Sequence, residues 1–131
     1  MRTLYEDDYF QVAFDADAGL IRARRTATPY PAIVDAQKSF DGLEEVLGRQ
    51  LLAGFAILVD SREAPGRNDS EFESMLLGRR EALFRKFRKR AVLFHSVAGV
   101  LQSQRMGREA RDGVHVEPFT DEAKALAYLK S

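Results

Sequence analysis

The chain has 131 residues, no cysteine, and 20 basic residues against 20 acidic ones. That length suits one domain with a real core. The lack of cysteine excludes a disulfide framework, a thiolate zinc site and a cysteine nucleophile, and the zero formal charge excludes a global field that would draw in nucleic acid. With 45% hydrophobic and 31% charged residues, the sequence reads as an ordered globular protein rather than a disordered one. The opening Met1 to Asp8 turns acidic without a signal-type apolar segment, and no apolar run reaches the roughly 18 residues of a membrane span. The expectation is a cytoplasmic protein with no membrane span.

Phe10, Val12 and Phe14 alternate as a half-buried strand does, and after the turn Asp15 to Gly19 the segment Leu20 to Arg25 alternates again, with Ile21 and Ala23 on one face and Arg22 and Arg24 on the other. This predicts an antiparallel hairpin with one wet face. Pro29 and Pro31 break the pattern. Ile33, Ala36, Phe40, Leu43 and Leu47 then mark an amphipathic helix, with Pro31 suited to its first turn and Gly48 near its end. Phe55 to Val59 is apolar on both faces and stops at Asp60, the pattern of a covered, parallel central strand. The loop 61–69 has turn composition, and Phe72, Leu76, Leu83 and Phe87 mark a second helix. Ala91 to Phe94 reads as a second buried strand, and Val97, Val100 and Leu101 as the apolar stripe of a third helix reaching toward Ala110. Val114-His115-Val116 reads as an edge strand, and Thr120, followed by Asp121 and Glu122, as the cap of a last helix carrying Ala123, Leu126 and Leu129. Helices and strands in alternation call for a mostly parallel sheet with right-handed crossovers, opened by an antiparallel hairpin, with about four helices in a single domain spanning residues 1–131.

In open parallel sheets, sites gather beyond the carboxyl ends of the strands. That rim holds Asp60 and Ser61 after one strand and His95 and Ser96 after the next. An acid, a base and a hydroxyl could be read there, but no G-x-S-x-G is present to set up a nucleophile, and the structural alternative is that Asp60 and Ser61 form the turn while His95 ends a strand. His95 and His115 have no metal-ligand spacing, and no glycine-rich phosphate loop occurs. No metal and no cofactor are expected. Ser70 with Glu73 fits a capping box, as does Asn68 with Glu71; alternatively, a serine at a helix start beside a loop is a phosphorylation candidate. Arg79, Arg80, Arg85, Lys86, Arg88, Lys89 and Arg90 stand against the single Glu81 in one stretch. Such a run either favours a helix C-terminus and solvates a surface, or docks an acidic partner. Nucleic acid is not the expected partner, because Phe84 and Phe87 fall on the apolar stripe and leave no stacking platform.

The order of these elements, with the hairpin, the strand ending at Asp60, the strand Ala91 to Phe94 and the closing Phe119 to Leu129, resembles the anti-sigma-factor antagonist (STAS) family and bacterial STAS-like domains. The resemblance covers nearly the whole chain. It implies a STAS-like fold that binds partner proteins, with Asp60, Ser61, Arg67, Asn68, Asp69 and Ser70 on the binding surface. It also implies a serine or threonine at the second helix start that a kinase partner phosphorylates to release the complex. Where the family usually has Asp-Ser-Ser/Thr-Gly, this sequence has Asp69-Ser70-Glu71-Phe72, which keeps the Asp-Ser pair and replaces the second hydroxyl and the glycine. The function so implied is a non-catalytic, regulatory interaction domain, with an anti-sigma-type, kinase or acidic protein as partner and homodimer formation through an edge strand as an option. The alternative is a small-ligand or lipid-binding protein, or a minor enzyme, using the rim of Asp60, His95 and Ser96.

Overall fold

The computed structural model describes residues 1–50, 52–65, 70–101 and 115–131. Among them, six strands form one sheet in sequential order: β1 (Arg2–Glu6), β2 (Phe10–Asp15), β3 (Leu20–Arg25), β4 (Ala56–Asp60), β5 (Lys89–Leu93) and β6 (Glu117–Phe119). β1, β2 and β3 pair antiparallel, and β3 to β6 pair parallel. The helices are α1 (Ile33–Leu47), α2 (Ser70–Phe84), α3, helical over residues 97–101, and α4 (Glu122–Lys130). The fold is therefore α/β with a mixed sheet, and no helix among the described residues is long and apolar enough to cross a membrane.

Local chemistry accounts for most of these elements. The β2–β3 turn needs a left-handed residue and has Gly19 at φ 64°. The stripe Ala36, Phe40, Leu43 and Leu47 is buried along α1, which ends where the Gly48 N–H bonds the Glu44 oxygen at 2.8 Å. Ala56 to Val59 of β4 are buried on both faces. Every crossover steps in the same direction along the sheet, and right-handed crossovers that do so lay their helices on one face. Accordingly, residues of α1 and α2 share one core with Ile21, Ala23, Ile57, Val59 and Val92. The opposite face, with Leu20, Ala56, Leu58, Ala91 and Leu93, is closed by α4 through Ala125 and Leu129.

Several expectations need correction. β1 adds a strand ahead of the predicted hairpin; its register shifts between Thr3 and Tyr5, so that consecutive Leu4 and Tyr5 both pack inward and the alternation is lost. The edge strand is Glu117–Phe119 rather than 114–116: His115 and Val116 precede it, and Val114 lies outside the described residues. Pairing of Phe119 with Leu93 sets that register, because Phe119 then joins the core beneath α4. Asp121, not Thr120, caps α4, its carboxylate accepting the Lys124 N–H at 3.2 Å. Pro31 stands just outside α1, whose N-cap is Ala32. α2 stops at Phe84, so that Phe87 is buried from the connection that follows, and Lys89 and Arg90 belong to β5.

Candidate functional site

The carboxyl ends of β3, β4 and β5 lie side by side, with Arg24 opposite Asp60 and Asp60 opposite Leu93. On the face that α4 covers, this rim is a chain of ion pairs. Asp60 takes three hydrogen bonds from Arg62: from its backbone N–H at 3.1 Å, from Nε at 2.9 Å and from Nη2 at 2.7 Å. These bonds hold the Asp60 carboxyl below its usual range. Arg62 and Arg22 each lie 3.5 Å from the same Glu122 oxygen, and Arg22 also reaches Asp15 at 3.4 Å. Arg24 bonds Gln11 and pairs with Glu63. The network ties the hairpin and the loop after β4 to the first turn of α4.

The predicted rim residues take separate places in this frame. The Ser61 N–H extends the ladder to the Leu93 oxygen at 2.9 Å. His95 is exposed beyond β5, and the Ser96 hydroxyl accepts the Gly99 N–H at 3.4 Å at the start of α3. Among the described residues no hydrogen bond joins Asp60, His95 and Ser96, and both Asp60 oxygens are held by Arg62. No group of three or more metal-ligating side chains gathers among the described residues. Ser70 opens α2, but its side chain lies outside what the structure describes, as do Arg67, Asn68 and Asp69, and with them the capping boxes at Asn68 and Ser70.

On the α1 and α2 face of the same rim lies a polar cluster that the sequence reading missed. Arg25 is only 8% exposed. Its Nη1 donates to the oxygens of Thr26 and Thr28, both at 2.8 Å, and to that of Tyr9 at 3.4 Å. Its guanidinium lies 4.3 Å from the Tyr30 ring centroid and 5.7 Å from those of Tyr9 and Phe10. Burial lowers the pKa of Arg25 and raises that of Tyr30. Beside them, Asp7 accepts from Tyr5 Oη at 2.5 Å, from Ser39 Oγ at 2.8 Å and from the N–H groups of Tyr9 and Phe10 at 2.7 Å. Burial alone would raise the Asp7 pKa, but these donors outweigh it and the net shift is down. Burial and the anion beside it push the Tyr5 pKa up. The signal for Arg25 was present in the sequence: the alternation that puts Ile21 and Ala23 on the core face continues to residue 25.

The run of cations divides among several tasks. Arg79 crosses to α1, meeting Asp41 at 2.8 Å and Glu44 at 3.0 Å. Arg80 lies over the Phe84 ring. Arg90 bonds the oxygens of Phe84, Phe87 and His115. Arg88 donates to the Leu129 oxygen, and Lys89 to Ser131 while covering the Tyr128 ring. Arg85 and Lys86 are exposed after the end of α2.

Of the stripe expected in α3, Val100 is half-buried but Val97 and Leu101 are 66% and 60% exposed, and the expected extension toward Ala110 lies outside the described residues; Val34 in the first turn of α1 is 50% exposed. The three exposed side chains stand near the starts of helices that follow parallel strands, hence at the carboxyl end. An open depression of about 510 Å³, walled by Met1, Arg2 and residues 14–17, lies at the other end, where β3 begins. Comparison with protein-family models, with curated proteins and with solved structures finds no match to this chain.

Proposed function

We propose that the chain is a STAS-like, non-catalytic domain that binds a partner protein at the carboxyl end of its sheet. The observation that carries this reading is the exposure of Val34, Val97 and Leu101 at that end, in a chain whose other large exposed hydrophobic among the described residues is Met1. Exposed apolar side chains leave water when a second surface covers them, which favours association at that end. The rim chemistry supports the same reading, since Asp60 is held by Arg62 and Ser96 by the first turn of α3. Ser70, at the start of α2 between α1 and α3 in the chain, is then the position where a phosphate would alter docking.

The test uses the wild-type chain as bait beside Val97→Asp/Leu101→Asp, Ser70→Asp and Ser70→Ala, each first shown to keep the wild-type melting temperature. The expected result is a protein retained in stoichiometric amount by the wild type, lost with the double variant and altered with Ser70→Asp. Equal retention by wild type and the double variant, or none by either, overturns the surface. Equal retention by both Ser70 variants overturns the switch.

A further inference from the structure

We infer that the opposite end of the molecule, where the parallel strands begin, is a second docking surface, and that it takes an acidic polypeptide segment. The inference does not rest on the proposed function and concerns different residues. The ends of α2 and α4 and the start of β5 meet here, as the bonds from Arg88 to the Leu129 oxygen and from Lys89 to Ser131 show. They bring together Lys86, Arg88, Lys89, Arg90 and Lys130, with Glu81 nearby in the chain. The molecule as a whole is neutral, so this is a local excess.

The excess is not answered within the chain as it is elsewhere. Arg22, Arg24, Arg49, Arg62 and Arg79 each meet a carboxylate. Among the described residues no aspartate or glutamate lies within ion-pair distance of Lys86, Arg88, Lys89, Arg90 or Lys130. Arg88 and Arg90 instead bond main-chain oxygens, and Lys89 bonds Ser131 at the end of α4, which fixes all three in place beside partial negative charge rather than beside a carboxylate side chain. Pre-ordered cations spend less conformational freedom on binding an anion than free side chains do.

The surroundings select the partner. Phe84 and Phe87 are buried, and the Tyr128 ring is covered by Lys89, so none of these three rings is open to stack on bases. The exposed large hydrophobics of the described chain are Met1, Val34, Val97 and Leu101, so the ends of α2 and α4 and the start of β5 carry no apolar wedge for a bilayer. Two helix C-termini, each equivalent to roughly half a negative charge, temper the local potential. A string of carboxylates with peptide spacing suits such a surface better than the denser charge of a phosphate backbone.

The experiment is fluorescence anisotropy of a labelled polyglutamate peptide with the full chain, alongside duplex DNA and phosphatidylserine vesicles. Binding at low salt is expected to weaken about tenfold or more as ionic strength rises past the physiological value. Lys86→Glu/Lys130→Glu changes two side chains that hold no helix carbonyl, and it is expected to weaken the peptide about tenfold with an unchanged melting temperature. Arg24→Gln, at the other end, and Val97→Asp/Leu101→Asp are expected to bind the peptide as wild type does, which separates this surface from the proposed partner site. No binding by the wild type at low salt, equal binding by the double charge variant, or tighter binding of DNA or vesicles than of the peptide overturns the inference.

Discussion

Gly42 sits in the interior of α1 against the Tyr5 ring: a Cβ there would stand 2.6 Å from Tyr5 Oη and 2.8 Å from Cε2. Alanine is preferred to glycine in a helix interior by about 1 kcal/mol, so at an open site Gly42→Ala would stabilise. Here the ring is tethered, because Tyr5 Oη donates to Asp7 and Asp7 is itself held by Ser39 and two N–H groups. Overpacking outweighs propensity, and the expected result is a net loss of about 1–2 kcal/mol, read as a lower urea midpoint. A raised midpoint would show that Tyr5 swings aside at little cost. Nothing in the sequence announces this contact, which joins positions 5 and 42 across two elements. Arg25 is the contrasting case. Its place on the core face follows from the alternation through Ile21 and Ala23, whereas the rings that receive it come from Tyr9, Phe10 and Tyr30, and only the tertiary fold brings them together.

At the scale of the element, α4 concentrates the most consequence in the fewest residues. Its nine residues close the face over Leu20, Ala56, Leu58, Ala91 and Leu93. Asp121 satisfies the Lys124 N–H, and losing such a cap typically costs about 1 kcal/mol. Asp121→Ala should therefore lower the unfolding free energy by about that amount, while Thr120→Ala, one position outside the cap, should stay within about 0.5 kcal/mol of wild type. Chemical denaturation of the two variants decides between the observed cap and the one the sequence suggested; the reverse ranking would return the cap to Thr120. The elements legible in the sequence are those with one strong pattern: α1 by its stripe, β4 by burial on both faces, and the β2–β3 hairpin by alternation and Gly19. β1 was obscured by its bulge and by Arg2 and Glu6 at its ends. β6 is three residues long and takes its register from Phe119 beside Leu93. The cation run looked like one surface because its members are close in sequence, yet Arg79 turns away to α1, while Arg88, Lys89 and Arg90 stay together on oxygens at the end of α4 and after α2. The rim was found from strand order, but the partners that define it, Arg62 and Glu122, stand 60 residues apart and carry no motif.

Over the whole molecule, the carboxylates that knit elements together predict how it responds to acid. Asp7 joins the β1–β2 turn to α1, and Asp60 anchors the loop after β4. Both have folded-state pKa values below the usual aspartate range: Asp7 because its four donors overcome the effect of burial, Asp60 because of Arg62. A carboxyl group with a depressed folded pKa binds protons less readily folded than unfolded. The stability it contributes is complete above the unfolded value of about 4 and is lost as pH falls through the folded value. The urea midpoint should be level above about pH 5 and fall steadily below about pH 4. In Asp7→Asn the neutral plateau should drop, because the amide cannot replace a charged acceptor of four hydrogen bonds, and the acid limb should become shallower, because one group driving it is gone. Asp60→Asn should show the same two changes in smaller measure, since its pairing with Arg62 is partly screened by solvent. As carboxylates protonate, the cations at the strand-start end also lose the compensating charge of the rest of the molecule, so added salt should recover part of the lost midpoint at low pH and little of it at pH 7. A midpoint that stays level through the acid range, or an Asp7→Asn limb as steep as the wild type's, would show that these carboxylates are not what holds the hairpin, the first helix and the rim loop together.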